Sequence, residues 1–324
     1  ARALLRSCAA GALLMTALPV LAADYKEAPA LAAAAKAGKL PPVEQRLPEH
    51  PEVVKPLDAI GTYGGQLRFG LRGSSDHNHI LRMVGNQGLV RWDPAYTKLV
   101  PNVAEKVDVS PDGKVFTFTL RKGMKWSDGK PFTADDILFN VDDLILNAEF
   151  SAPQPRYMTG GVPMKVEKID DATVKFTFTE PYGDFLAELA SPLGQHPVLY
   201  AKHYCSQFHP KYNANIADTV KANNATDWKN LFLQKCGDIE IPARWGNVDR
   251  PTLDPWVVKD PYTGGATRVI MERNPYFWQV DTAGNQLPYI DELNAPIAQD
   301  VESLILAAIG GRIDFGLRHL DAPA

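Results

Sequence analysis

Two copies of one short pattern constrain the fold of this 324-residue chain more than any other feature. Residues 105–109 and 114–120 alternate apolar and polar side chains on either side of Ser110-Pro111-Asp112-Gly113. In such a turn proline fixes φ and glycine accepts a positive φ. A similar unit returns at 166–169 and 173–179, and both second strands contain Phe-Thr-Phe-Thr. The pattern predicts two β-hairpins, which can stack in one sheet.

Helices are expected between and after these hairpins. Thr133 and Asp136 form a carboxylate variant of a capping box, and apolar residues follow at helical spacing. Asp300 is the expected cap of a second helix over 301–309, which Gly310-Gly311 ends. Strands mixed with helices indicate an α/β or α+β fold rather than an all-β sandwich.

The part of the chain before these units is rich in alanine and proline. Residues 26–38 predict a short helix that glycine closes. Five prolines follow between residues 41 and 56, and proline disrupts both helix interiors and central strands. We therefore expect that segment to lie extended over the surface. After a glycine pair, residues 66–71 alternate as in a half-buried strand.

Composition excludes several classes of protein. Apolar residues make up 45% of the chain and charged residues 22%, which is typical of soluble globular proteins and not of disordered chains. The 34 basic and 38 acidic residues give a net charge of −4, and no stretch concentrates basic side chains. Nucleic acid is therefore not an expected partner.

Residues 1–23 have the pattern of a secretory signal peptide. Arg2 and Arg6 precede an apolar run over 9–21, which is shorter than the roughly 20 residues that span a bilayer as a helix. We expect cleavage near Ala22 or Ala23 and export from the cytoplasm. A retained membrane anchor is the alternative.

The exported chain then contains two cysteines, Cys205 and Cys236. Disulfides form in oxidising compartments, so we predict that the two residues pair. The bridge would stabilise the fold by roughly 3–4 kcal/mol in the chain-entropy account. Two separate buried thiols are the alternative.

The region from Leu99 to Asp142 carries a family resemblance. A Pro-Asn-Val-Ala-Glu segment at 101–105 leads into the first hairpin, and 120–137 contains Leu-Arg-Lys-Gly followed by Asp-Gly-x-Pro-Phe-Thr-Ala-x-Asp. These motifs resemble those of the extracytoplasmic solute-binding proteins of ABC importers, in family 5, whose members bind peptides, nickel or oligosaccharides. The runs at 272–278 and 287–292 are similar to further family motifs.

The resemblance implies an α/β fold of the periplasmic binding protein type (type II, large cluster C), with a mixed sheet and flanking helices. We expect a signal peptide at 1–23, an Ala/Pro-rich extension at 24–60, an incomplete first lobe at 61–315, and the start of a second lobe or a truncated tail at 316–324. Because the family has two lobes that close over a ligand, we expect this to be a truncated gene or a partial sequence.

The function that the resemblance implies is solute capture for uptake. A periplasmic monomer would bind an oligopeptide or an oligosaccharide and deliver it unchanged to the transmembrane subunits of an ABC permease, with no cofactor and no catalysis. A secreted hydrolase acting on peptides or glycans is the alternative, although the chain contains no Gly-x-Ser-x-Gly or His-Glu-x-x-His motif.

The polar loop after the first predicted strand is the main candidate for ligand binding. Its side chains offer hydroxyl, carboxylate, imidazole and amide groups for hydrogen bonds to a polar solute. The loop comprises Ser74, Ser75, Asp76, His77 and Asn78. An ordinary solvated turn is the alternative. His77-x-His79 would place two imidazoles on one face of an extended segment, but no third ligand has a firm spacing, so no metal site is predicted.

Further candidates are Asn86, Trp92, Trp245, Asp254 and Trp256. Asp254 and Trp256 lie in 252–256, where the family often has a Gly-rich stretch beside the ligand. Tryptophan faces could stack on sugar rings or cover peptide side chains. Core packing is the alternative for each tryptophan.

Overall fold

A computed structural model describes residues 24–152 and 154–320. The expected signal peptide with its cleavage site lies outside the described residues, as do residues 321–324 of the expected tail. Within the described ranges, no helix is long and apolar enough to cross a bilayer.

The helices, in chain order, are α1 (Pro29–Lys36), α2 (Val43–Arg46), α3 (His77–Val84), α4 (Ala134–Leu138), α5 (Phe185–Leu189), α6 (Lys202–Cys205), α7 (Ile216–Ala222), α8 (Trp228–Cys236) and α9 (Val301–Ile309). The strands are β1 (Glu52–Val54), β2 (Gln66–Arg68), β3 (Leu71–Arg72), β4 (Val90–Trp92), β5 (Leu99–Pro101), β6 (Ala104–Val109), β7 (Val115–Leu120), β8 (Met158–Thr159), β9 (Val162–Pro163), β10 (Lys165–Asp170), β11 (Thr173–Thr177), β12 (Trp256–Asp260), β13 (Arg268–Arg273), β14 (Gln279–Asp281) and β15 (Glu292–Ala298).

The two predicted hairpins form one antiparallel sheet in the order β10-β11-β7-β6. The Phe-Thr-Phe-Thr strands are direct neighbours, with Phe116 opposite Phe176. Alternate residues of both strands are buried, and Phe116 and Phe178 pack their rings against Phe185 of α5. The predictions of two hairpins and of their stacking in one sheet are confirmed.

A second sheet is mixed. Its strand order is β12-β13-β15-β2. Strand β3 also pairs with β15, further along that strand than β2 does. Strands β2 and β3 run parallel to β15, whereas β12, β13 and β15 are antiparallel. Phe69 and Gly70 separate β2 from β3, and a Cβ atom on Gly70 would lie 2.3 Å from the side chain of Leu304 in α9. The absence of a side chain therefore allows α9 to pack closely on this sheet.

The helix caps agree with the sequence. Thr133 and Asp136 form the predicted capping box of α4, and Asp300 accepts a hydrogen bond from the backbone N–H of Ser303 at the start of α9. Burial raises the pKa of Asp136, whose carboxylate also accepts the backbone N–H of Lys202 at 2.9 Å. Beyond α4 the chain continues as a π-helical segment, Phe139–Ile145.

The expectation of an extended surface path for the proline-rich segment is wrong in part. One helical turn, α2, follows Pro42. Proline is tolerated at this position because the N–H that it lacks would have no acceptor within the helix. Strand β1 pairs with β14. Arg46 is fully buried; it donates to the carbonyl oxygen of Pro41 at 3.1 Å and to Oε1 of Gln286 at 3.2 Å, and it pairs with Glu27. A buried cation with several acceptors therefore anchors the segment.

The cysteines of α6 and α8, Cys205 and Cys236, form a disulfide with a Cα–Cα distance of 6.0 Å. Both are buried in a hydrophobic cluster that also contains Leu231, Phe232 and Trp245. The bridge thus joins two helices that already share a core.

Candidate functional site

A cavity of about 770 Å³ opens between α3, the β4–β5 hairpin and three distant segments of the chain. Three residues predicted from the sequence line it: Asn78, Asn86 and Trp92. The remaining lining residues are Leu81, Arg82, Gly85, Arg91, Tyr96, Ala190, Ser191, Pro192, Ile239, Glu240 and Leu317. The lining combines aromatic faces, amides and a few charged groups, which is typical of sites for small polar ligands.

Helix α3 and its C-terminal turn position the two asparagines. The helix ends at Gly85, which has a φ of +77° that favours glycine. This turn carries the chain to Asn86, whose Oδ1 accepts a hydrogen bond from Nε2 of Gln195 at 2.9 Å. The side-chain amide group of Asn86 is thereby fixed at the cavity edge, with its NH₂ group left to donate.

The β4–β5 hairpin positions the aromatic part of the lining. The carboxylate of Asp93 accepts hydrogen bonds from the backbone N–H and the hydroxyl of Thr97, and these bonds lower the pKa of Asp93. The turn presents Tyr96 beside Trp92, with ring centroids 6.5 Å apart and planes inclined by 23°. Arg91, on the same hairpin, donates to Oε1 of Glu52 at 2.5 Å.

The expected binding loop is more enclosed than the sequence suggests. Its first part, Gly73–Ser75, is a single 3₁₀ turn, and Ser75 is exposed but does not line the cavity. Asp76 is buried and accepts a hydrogen bond from Nη1 of Arg318 at 2.7 Å. Arg318 thus contacts one oxygen of the Asp76 carboxylate, and a role of Asp76 in binding a solute stays a prediction.

The two histidines of the His-x-His pair lie in α3, so the expected extended geometry is wrong. Residues two apart on a helix point to different sides. His77 donates from Nε2 to the carbonyl oxygen of Glu240 at 2.9 Å, whereas His79 is fully buried against Phe69, which lowers its pKa. Within residues 24–152 and 154–320 no cluster of three His, Cys, Asp or Glu side chains could hold a metal ion.

Trp245 and Asp254 lie away from the cavity. Trp245 is buried in the core, where the guanidinium of Arg244 lies 4.8 Å from its ring centroid. Asp254 is buried and pairs with Arg244 at 3.1 Å and with Arg250 at 3.8 Å. Burial lowers the pKa of Arg250 to about 10. This placement favours the core-packing alternative for Trp245 and gives Asp254 an internal ionic role.

Trp256 lines a separate cavity of about 380 Å³, together with Phe277, Pro288 and Tyr289. Its indole N–H donates to the carbonyl oxygen of Ile290 at 3.2 Å. The tryptophan is half-buried, this hydrogen bond orients it, and it does not line the larger cavity.

Sequence reasoning missed several residues of the larger cavity. Tyr96 follows an Asp-Pro pair between two short apolar runs, a turn signal that could have indicated a presented aromatic residue. Ser191, Glu240 and Leu317 come from segments distant in sequence, and only the tertiary fold brings them to the cavity.

The chain has clear relatives among known proteins. The profile of the family described as bacterial extracellular solute-binding proteins, family 5 Middle, matches residues 98–323. The periplasmic alpha-galactoside-binding protein of Rhizobium meliloti (strain 1021) is 33% identical over 298 residues, which are 83% of this chain and 39% of that protein.

Two solved structures share the fold. An oligopeptide-binding protein, OppA, superposes with a TM-score of 0.83 at 42% identity and covers 92% of this chain. The periplasmic binding protein MelB of Agrobacterium fabrum C58, solved with stachyose, superposes with a TM-score of 0.71 at 29% identity, also over 92% of this chain. The predicted periplasmic binding protein fold is confirmed. The chain spans 45% and 44% of these two structures.

Proposed function

This chain belongs to the family 5 bacterial extracellular solute-binding proteins, and on that premise we propose that it is the receptor part of an ABC uptake system. The observation that carries the proposal is the cavity between α3 and the β4–β5 hairpin, whose volume of about 770 Å³ suits an oligomeric small molecule. Its amides and hydroxyl can exchange hydrogen bonds with a polar solute, while Trp92 covers apolar surface.

The proposed solute is an oligopeptide or an oligosaccharide. The named relatives support this range, because their descriptions include an alpha-galactoside, oligopeptides and stachyose. We propose that the solute is bound in the periplasm and passed unchanged to the transmembrane subunits of a permease, without a cofactor.

The mechanism that we propose is closure of two lobes over the solute. The relatives are more than twice as long as the matched region, so we assign the second wall of the cleft to the length that this chain does not span. A solute that contacts both walls stabilises the closed state by its differential affinity, and the closed state then docks on the permease.

A thermal-shift screen tests the receptor function. The mature, full-length protein is incubated with oligopeptides and with oligosaccharides, and the solute is recovered and weighed by mass spectrometry. We expect at least one solute to raise the melting temperature, since a ligand at about 100 times its Kd adds about 2.7 kcal/mol, and to return with unchanged mass. Cleaved products would support the hydrolase instead.

Asn78 offers a test of the site. We propose that its amide hydrogen-bonds the solute, and alanine at this helical position is compatible with α3. Asn78→Ala should weaken binding by roughly 3- to 10-fold, the loss of one hydrogen bond, with an unchanged melting temperature. Asn215→Ala, on an exposed residue outside the cavity lining whose side chain makes no capping hydrogen bond, is the matched control. Equal affinities of the two variants would remove Asn78 from the site.

A further inference from the structure

Tyr96 has a backbone conformation that an aromatic residue seldom adopts. Its φ is 56°, in the left-handed region that favours glycine and asparagine, and the residue is 78% exposed. The turn is held by Asp93, whose carbonyl oxygen accepts the N–H of Tyr96 at 2.9 Å and whose carboxylate holds Thr97. An exposed tyrosine gains little from core packing, so the local fold gives no reason for an aromatic ring at this strained position.

The ring of Tyr96 stacks beside that of Trp92. The two planes are inclined by only 23°, and both residues line the cavity. Trp92 is half-buried and Tyr96 is exposed, so aromatic area remains for a ligand. Two nearly parallel rings suit a ligand that has a flat apolar face.

The charges of the cavity lining are balanced. Arg91 pairs with Glu52 at 2.5 Å, and the lining sets the acidic Glu240 against the positive charge of Arg82. The cavity therefore offers no surplus positive charge to a peptide carboxylate. The side-chain amides of Asn78 and Asn86 are neutral, and they can exchange hydrogen bonds with neutral hydroxyl groups.

We infer that Trp92 and Tyr96 form a stacking platform for one sugar ring and that the solute is a neutral oligosaccharide. This inference rests on the proposed receptor function and narrows its solute class. A pyranose ring places its C–H face on the aromatic surface while its hydroxyls exchange hydrogen bonds with the neighbouring amides. The strained turn is explained because it presents the Tyr96 ring to the solute.

Isothermal titration of the mature, full-length protein tests the inference, with stachyose and raffinose as sugar probes and tetraalanine as the peptide probe. Tyr96→Asn removes the ring but keeps a residue that tolerates a left-handed φ. We expect this variant to keep or raise the melting temperature and to bind the sugar about tenfold more weakly. Tyr96→Phe keeps the ring and should bind within about twofold of the wild type.

The outcomes separate the inference from the receptor function. Sugar binding that Tyr96→Asn leaves unchanged overturns the platform. If the protein binds tetraalanine but neither sugar, and Glu240→Gln at the cavity edge weakens that binding, the sugar assignment is overturned. The receptor function then stays in place. Binding of none of the three probes overturns the sugar inference; the receptor function then depends on the wider solute screen.

Discussion

The four-stranded sheet and the wall of the larger cavity are built in opposite ways. In the sheet, segments close in sequence pair as hairpins, and rings such as Phe116 and Phe185 fill the core. In the cavity wall, single polar contacts join segments far apart in sequence, such as Arg91 with Glu52 and Gln195 with Asn86.

This difference separates stability from binding. Apolar burial in the sheet is shared among many contacts, so its loss weakens the whole fold. A polar contact in the cavity wall contributes little to overall stability but sets the position of one side chain. We therefore expect substitutions in the sheet to unfold the protein and substitutions in the wall to change affinity first.

The largest effect is expected in the sheet core. Phe185 is fully buried, and its ring packs 4.8 Å from the ring centroids of both Phe116 and Phe178. Phe185→Ala should lower the free energy of unfolding by about 3–5 kcal/mol, because it leaves a cavity. Urea unfolding followed by fluorescence measures this change. Phe315→Ala, at a residue that is 45% exposed, is the control and should cost far less; equal losses would contradict the contrast.

The disulfide gives the next largest effect. The Cys205→Ser, Cys236→Ser double variant should lose about 3–4 kcal/mol of stability in the chain-entropy account. Cys236 ends α8, and Glu240 lies a few residues further along the chain at the cavity edge. Titration at a temperature where the variant is folded should therefore show weaker solute binding as well. Unchanged affinity would show that Glu240 is positioned without the bridge.

A matched pair of charge removals compares the two regions directly. Glu52→Gln removes the charge partner of Arg91 in the cavity wall, and Glu167→Gln removes that of Lys175 on the sheet surface. Glu52→Gln should lower the free energy of unfolding by about 1 kcal/mol and change solute affinity, because the Glu52 side chain is largely buried. The second should cost under about 0.5 kcal/mol with unchanged affinity. Equal changes in stability and in affinity for the two variants would contradict the contrast between the cavity wall and the sheet.

The smallest effect concerns pH. Burial lowers the pKa of His79 in the folded protein, so the unfolded chain binds a proton more readily. The contribution of neutral His79 to the free energy of unfolding is complete above the ordinary histidine pKa of about 6.5 and is lost as the pH falls below that value. Melting temperatures between pH 7 and pH 5 measure this loss, and His79→Leu should reduce it. His50→Leu, on an exposed histidine, is the control and should keep the wild-type fall.

The sequence predicted the parts of the fold that depend on neighbours in the chain. The Ser110–Gly113 turn and the Thr133 and Asp300 caps are encoded within a few residues, and the structure contains each of them. The burial of Arg46 and the pairing of Asp76 with Arg318 depend on partners more than 200 residues away. No local pattern specifies such contacts.

The lining of the larger cavity shows the same dependence on separation along the chain. Asn78, Asn86 and Trp92 lie within 15 residues of one another, and the sequence named each of them as a binding candidate. The cavity edge at Glu240 could not be predicted, because it depends on the path of the chain after α8.

Hydrogen–deuterium exchange of the mature, full-length protein with and without the solute that raises its melting temperature tests the account most directly. We predict that the solute slows exchange of the backbone amides in 77–86 and 91–98 and leaves the sheet strands at 115–120 and 173–177 unchanged. Protection confined to 255–260 and 287–290, around the smaller cavity, would contradict the assignment of the larger cavity as the solute site.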